Sequence, residues 1–251
     1  MLLTIDIGNS STKFGLFDRT ALIERLVFPT DRSHSADNIF SLAGGKLPDK
    51  LDGIIVSSVV KEVQNAYTEF GDRYFGLETI FLDYTSDFGF SIKYFPPEDC
   101  GTDRLVDAFA AAEKYGLPVI VCDFGTATTI DVVNEKHEYL GGIITPGPNT
   151  LGSALFEKTS KLPEVEFGKP ESVIGNSTIS SIKSGIYYGY IGLVDGIIER
   201  MISEIVKTPK VVSTGGFADS MAEESRYIEI VEKNLMLDGL RMLFEKRESK
   251  N

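Results

Sequence analysis

The sequence predicts an α/β protein built of two similar halves, and two observations carry that expectation. The segment Asp6-Ile7-Gly8-Asn9-Ser10-Ser11-Thr12-Lys13 is matched far downstream by Asp123-Phe124-Gly125-Thr126-Ala127-Thr128-Thr129. Each follows an apolar run of the buried-strand type, Leu2-Leu3-Thr4-Ile5 and Val119-Ile120-Val121-Cys122. An aspartate ending a strand, a glycine and then small donors suit a nucleotide's phosphate chain and its cation. The glycine permits close backbone approach, the hydroxyls donate, and the carboxylate holds a hydrated metal. Two copies imply a duplicated core whose halves grip one nucleotide between them, so a kinase is the first reading.

The elements follow in order. Residues 2–6, 13–17 and 21–28 read as three strands joined by turns, an antiparallel meander. Residues 53–58 form a short apolar run of the buried-strand type, and 78–82 resemble another. Between them, 61–74 carry Val63, Ala66, Tyr67 and Phe70 at helical spacing. Residues 85–100 read as an aromatic loop with Pro96-Pro97, and 105–115 as a helix ended by Gly116-Leu117-Pro118. The second half repeats the grammar, with strands at 119–123, 128–133 and 139–144. A helix is expected over 149–159, after Gly147-Pro148. A long helical region follows over 179–206, with Gly189 and Gly192 marking where it could break. Residues 210–213 read as a strand stopping at Thr214-Gly215-Gly216, and 237–245 as a closing helix. The expected domains are residues 1–115 and 116–251.

Composition narrows the function. No apolar run approaches the roughly 20 residues of a membrane span, and the chain enters a strand at once, so no signal or transit peptide is expected. Cys100 and Cys122 are too few for a disulfide framework and suit a reducing cytoplasm. The 37 acidic against 25 basic residues leave a net charge of −12. That argues against a nucleic-acid partner, which demands clustered Lys and Arg.

In the first loop, Asp6 would hold a water shell around Mg²⁺. Asn9, Ser10, Ser11 and Thr12 could donate to phosphate oxygens, and Lys13 could neutralise charge. The alternative is a hairpin turn whose Gly8-Asn9 pair serves backbone geometry only. Gly101-Thr102-Asp103-Arg104 opens a helix, where N–H groups favour an anion. Either Thr102 or Asp103 caps that helix, or Asp103 is a general base and Arg104 orients a polar substrate group. Gly215 and Gly216 either let the backbone approach an adenosine or make a tight strand–helix turn. His34 and His137 have no metal-ligand spacing, and neither a P-loop nor Gly-x-Gly-x-x-Gly occurs.

Taken together, Asp6-x-Gly-Asn-Ser…Lys13, Gly101-x-Asp103-Arg104, Asp123-x-Gly-Thr-Ala…Asp131, Gly141-Gly142…Pro146-Gly147 and Thr214-Gly-Gly stand in one order. With Leu162-Pro163 and the closing run from Asn234 to Leu240, the set resembles type III pantothenate kinase. The resemblance implies the actin-like, acetate- and sugar-kinase fold: two ribonuclease-H-like α/β domains with a nucleotide cleft between them. It also implies ATP-dependent phosphorylation of pantothenate, the first step of coenzyme A synthesis. By that resemblance Gly8 belongs to the first phosphate loop, Asp103 accepts the proton, and Gly101–Arg104 with Tyr94 form the pantothenate site. Asp123 is similar to the ligand for K⁺ or NH₄⁺, Thr126 to an ATP contact, and Thr178 to a threonine that reaches substrate from the neighbouring subunit. The family is homodimeric, and the apolar residues on several sides of 179–201 suit either a second chain or a large core. Two alternatives remain: a sister kinase acting on a sugar or carboxylic acid, and a non-catalytic regulatory relative.

Overall fold

The computed structural model describes residues 1–43 and 45–250. In chain order the elements are β1 (Leu2–Ile7), β2 (Ser11–Asp18), β3 (Ala21–Pro29), α1 (Ala36–Ala43), β4 (Gly53–Ser58), α2 (Gln64–Phe75), β5 (Thr79–Phe81), β6 (Ser91–Ile92) and α3 (Thr102–Tyr115). There follow β7 (Val119–Phe124), β8 (Ala127–Val133), β9 (Glu138–Pro146), α4 (Pro148–Lys158), α5 (Thr178–Glu204), β10 (Lys210–Gly215), α6 (Ala218–Ala222), β11 (Ile230–Val231) and α7 (Leu235–Glu248). Short 3₁₀ turns precede α2 and α3.

The chain divides into two compact units, Met1–Ala110 with Asn234–Asn251, and Ala111–Lys233. In the first, the sheet order is β3-β2-β1-β4-β5. Strands β1, β2 and β3 form an antiparallel meander, while β4 runs parallel to β1 and β5 parallel to β4. In the second, β9, β8, β7, β10 and β11 lie side by side in that order. Here too the first three strands are antiparallel, and β10 and β11 run parallel to the first. The same 3-2-1-4-5 arrangement occurs twice, which is the duplication the repeated Asp-x-Gly turns imply. Each of those turns connects the first and second strands of its unit.

Strand alternation sorts the first unit's side chains. Leu3, Ile5 and Ile7 face one way with Ile54 and Val56, and pack on Ile39, Tyr67 and Phe70 of α1 and α2. Thr4, Asp6, Lys13 and Ser57 fall on the other face, the one α7 covers. A Cβ on Gly53 would stand 2.3 Å from the Phe244 ring, and one on Gly239 would stand 2.9 Å from both Ala110 and Val106 of α3. The closing helix therefore belongs to the first unit, where the sequence placed it in the second half. The division also falls inside α3, after Ala110, and not at the Gly116 turn. A helix's periodicity shows that it has an apolar stripe but not which sheet the stripe will cover.

The second unit's core joins Ile120, Cys122, Phe124 and Ile130 to Tyr190, Val194 and Ile198 of α5. Ser177 caps α5 through a reciprocal pair with Ser180: the Ser180 N–H donates to Ser177 Oγ (3.2 Å) and the Ser177 N–H to Ser180 Oγ (2.9 Å). The helix runs unbroken through Gly189 and Gly192. Each glycine costs about 1 kcal/mol of helix propensity, which burial of Tyr187, Tyr190, Val194 and Ile198 outweighs. Both cysteines are buried, and burial pushes the Cys122 thiol pKa far upward, so it stays protonated.

Candidate active site

The first unit holds two of the segments singled out in the sequence. Asp6 sits one residue before the end of β1, 5% exposed, between register neighbours Lys13 on β2 and Ser57 on β4. Lys13 Nζ lies 2.9 Å from Asp6 Oδ2. The Ser57 hydroxyl is fully buried, with no hydrogen-bond partner among the described residues. A buried orphan beside a carboxylate suits an ordered water, and hence a hydrated divalent ion held through that water. No group of three His, Cys, Asp or Glu side chains converges among the described residues. One carboxylate beside a site for an ordered water fits an ion that arrives with phosphate oxygens of its own, as Mg²⁺ does.

Gly8, Asn9, Ser10 and Ser11 make the β1–β2 turn, closed by a bond from the Gly8 N–H to the Ser11 carbonyl (3.0 Å). Asn9 and Ser10 are exposed. Thr12 differs from expectation: its side chain is fully buried, and its hydroxyl bonds Thr30 Oγ1 at 2.8 Å. It supports the loop from inside. Strand alternation carried this signal, because Thr12 lies on the same face as the core residues Phe14 and Leu16.

The second segment opens α3. The Thr102 hydroxyl reaches the Ser58 carbonyl (3.4 Å), tying the helix start to the end of β4. Asp103 folds back so that its Oδ1 accepts from the Arg104 N–H (2.8 Å). It passes so close to Gly101 that a Cβ there would stand 2.4 Å from that oxygen. Arg104 is buried, with its guanidinium 5.4 Å from the centre of the Tyr94 ring, a cation–π distance. Tyr94, Gly101, Thr102, Asp103 and Arg104 thus form one cluster. The helix begins three residues before its apolar pattern does, because the buried residues of its first turn, Thr102 and Arg104, are polar.

In the second unit three segments converge. Gly215 on β10 is the register neighbour of Phe124 on β7 and has φ +90°. A Cβ there would stand 2.4 Å from Asp123 Oδ1, so the bare backbone lets that carboxylate lie against it. Thr126, exposed between β7 and β8, has its carbonyl held by the Gly147 N–H (2.8 Å) and the Thr150 hydroxyl (2.6 Å). Gly147 and Thr150 were not singled out as site residues. Pro148 is the first residue of α4, where its fixed φ and missing N–H suit a helix start. Gly216 follows Gly215 with open space where a side chain would be. Thr178 stands apart as the exposed first residue of α5, the capping role falling to Ser177.

The family model for Type III pantothenate kinase matches residues 2–200. The Type III pantothenate kinase of Geotalea uraniireducens (strain Rf4) is 43% identical over 98% of this chain and 98% of its own. Among solved structures, a Campylobacter jejuni protein provisionally placed in the Baf family of transcriptional activators superposes with a TM-score of 0.61. It is 18% identical over 98% of this chain and 99% of that one. A Sinorhizobium meliloti protein provisionally named a 2-dehydro-3-deoxygalactonokinase gives a TM-score of 0.59 at 13% identity, over 98% and 99%. These two likenesses are of fold alone, the actin-like ATPase and sugar-kinase fold.

Proposed function

We infer the reaction from one premise: the chain belongs to the type III pantothenate kinase family. It transfers the γ-phosphoryl group of ATP to the primary hydroxyl of pantothenate, the first step of coenzyme A synthesis. The observation that best supports a hydroxyl acceptor in this chain is the cluster at the start of α3, where the Asp103 carboxylate adjoins buried Arg104 stacked on Tyr94. The test is ADP release from ATP with Mg²⁺ and K⁺ in the presence of pantothenate, a sugar or a carboxylic acid. Dependence on pantothenate alone supports the reading. Release with another acceptor indicates a sister kinase, and ATP binding without release a regulatory relative.

In this reading the pantothenate oxygen bonds to the γ-phosphorus, the bond from that phosphorus to the bridging oxygen of ADP breaks, and the hydroxyl proton passes to the Asp103 carboxylate. Charge builds on the transferring group, so fixed donors and cations carry most of the acceleration. Asn9, Ser10, Ser11 and Lys13 contribute from the first loop and Thr126 from the second. Arg104, Tyr94, Gly101 and Thr102 hold the polar acceptor. Gly215 and Gly216 present backbone to the adenosine. Mg²⁺, bound with ATP, neutralises phosphate charge, and Asp6 with Ser57 would hold it through water.

Asp123 is the ligand for K⁺ or NH₄⁺ in this account. Replacing K⁺ by Na⁺ is expected to lower the wild-type rate, and to lower it less in Asp123→Ala. Equal wild-type rates in the two salts would remove the cation site.

The protein is a homodimer in the same account, with Thr178 reaching the substrate site of the partner. The support is an open apolar cavity of about 580 Å³ between α4 and α5, lined by Leu151, Leu155, Ile182, Ile186 and Leu193. Open space faces Gly185, Gly189 and Gly192 beside it, a surface on which a second helix can pack closely. Sedimentation at twice 27.6 kDa is expected, and a single-chain mass would contradict it. No helix among the described residues is long and apolar enough to cross a membrane, and the expected location is the cytoplasm.

A further inference from the structure

Thr30 lies just past the end of β3 and is half-buried. Nothing in the motifs points to it, yet it holds the first phosphate loop at three atoms. Its hydroxyl donates to the Gly8 carbonyl (2.7 Å), its N–H donates to the Ser10 carbonyl (3.2 Å), and its Oγ1 meets Thr12 Oγ1 (2.8 Å). A hydroxyl has one hydrogen. Since Thr30 commits its hydrogen to Gly8, Thr12 must donate to Thr30. The chain runs one way, from Thr12 through Thr30 to the Gly8 carbonyl.

The consequence lies on the opposite side of the loop. In a two-residue hairpin the first carbonyl ordinarily accepts from the N–H three residues on. Here the Gly8 carbonyl accepts from Thr30, and no bond from the Ser11 N–H closes the turn. In a trans peptide the C=O and the following N–H point in opposite directions. Holding the Gly8 and Ser10 carbonyls toward Thr30 therefore turns the Asn9 and Ser11 N–H groups away from it, on the loop's other side. Backbone N–H groups gathered on one side of a turn make a concave surface that favours an anion.

We propose that Thr30 is a positioning residue for nucleotide binding: by taking the Gly8 and Ser10 carbonyls it aims the Asn9 and Ser11 N–H groups at the phosphates of ATP. The proposal rests on the kinase reading for the identity of the anion, and its test separates the two. Thr30→Val keeps the shape and the N–H but removes the hydroxyl, whereas Thr30→Ser keeps both donors. Calorimetry with a non-hydrolysable ATP analogue and Mg²⁺ gives affinity, and initial rates give KM for each substrate. Thr30→Val is expected to weaken analogue binding and raise the KM for ATP by about tenfold or more, the scale of one lost hydrogen bond plus an unpaired carbonyl. The KM for pantothenate stays within about twofold, and Thr30→Ser restores binding. Wild-type affinity in Thr30→Val, an equal loss in Thr30→Ser, or a parallel rise in both KM values would overturn the proposal. If Thr30→Val does not fold, Thr12→Val, which removes the donor to Thr30, is read by the same affinities. A weakening of a few-fold supports the chain, and no change overturns it. A wild type that binds the analogue without phosphorylating pantothenate defeats the kinase reading and leaves Thr30 to be judged by affinity.

Discussion

Asp103→Asn is expected to yield a folded protein that binds nucleotide normally and turns over about 10²-fold or more slowly, the usual scale for losing a general base. The substitution is informative because of what it leaves intact. Asp103 Oδ1 accepts from the Arg104 N–H at 2.8 Å, and the amide oxygen of asparagine can accept the same bond. The start of α3 therefore keeps its hydrogen bonding, the Thr102 tie to Ser58 included. What disappears is the basic carboxylate oxygen, and with it the acceptor for the substrate's proton. The KM for ATP is expected to stay near its wild-type value, because the phosphate loops are untouched. Turnover near the wild-type rate in a variant of unchanged thermal stability would remove Asp103 from the chemistry.

Gly147→Ala is expected to damage the second phosphate loop by steric means alone. Gly147 has φ −68° and ψ 169°, an extended conformation open to any residue, so backbone strain plays no part. Space is the obstacle: the new Cβ would stand 2.1 Å from the Gly125 carbonyl oxygen and 2.8 Å from that of Thr126. Both are backbone atoms of the turn and cannot rotate aside as a side chain could. The loop must shift, and the bonds to the Thr126 carbonyl from Gly147 and Thr150 must lengthen or break. A stability loss of about 1–3 kcal/mol is expected, as for other overpacked sites. The KM for ATP is expected to rise about tenfold or more, consistent with losing one or two aligned donors. Unchanged melting and unchanged KM for ATP would show that the contact yields freely and that Gly147 does not brace the loop.

The repeat of Asp-x-Gly after an apolar run was legible because strand, turn and small donors are local features. From it followed the duplicated α/β core, now seen as the same strand order in both units. The first-strand positions of Asp6 and Asp123 were legible for the same reason, whereas the helix expected from residue 105 begins at Thr102. Short elements were not. The eight residues of α1 and the two-residue strands β6 and β11 offer too little length for a periodic signal. Membership of α7 was also hidden, because Phe244 on Gly53 and Gly239 on Val106 are contacts between distant parts of the chain. Thr30 was hidden for a related reason: its hydroxyl acts on Gly8, 22 positions earlier, and a threonine after a strand is unremarkable by itself. The burial of Thr12 could have been read from alternation with Phe14 and Leu16.

The most direct test of the account is mass analysis of the products formed by the wild-type protein from ATP and pantothenate with Mg²⁺ and K⁺. The account predicts a phosphate monoester of pantothenate at its primary hydroxyl, formed mole for mole with ADP. ADP without phosphorylated pantothenate, or neither product despite measured ATP binding, would contradict it.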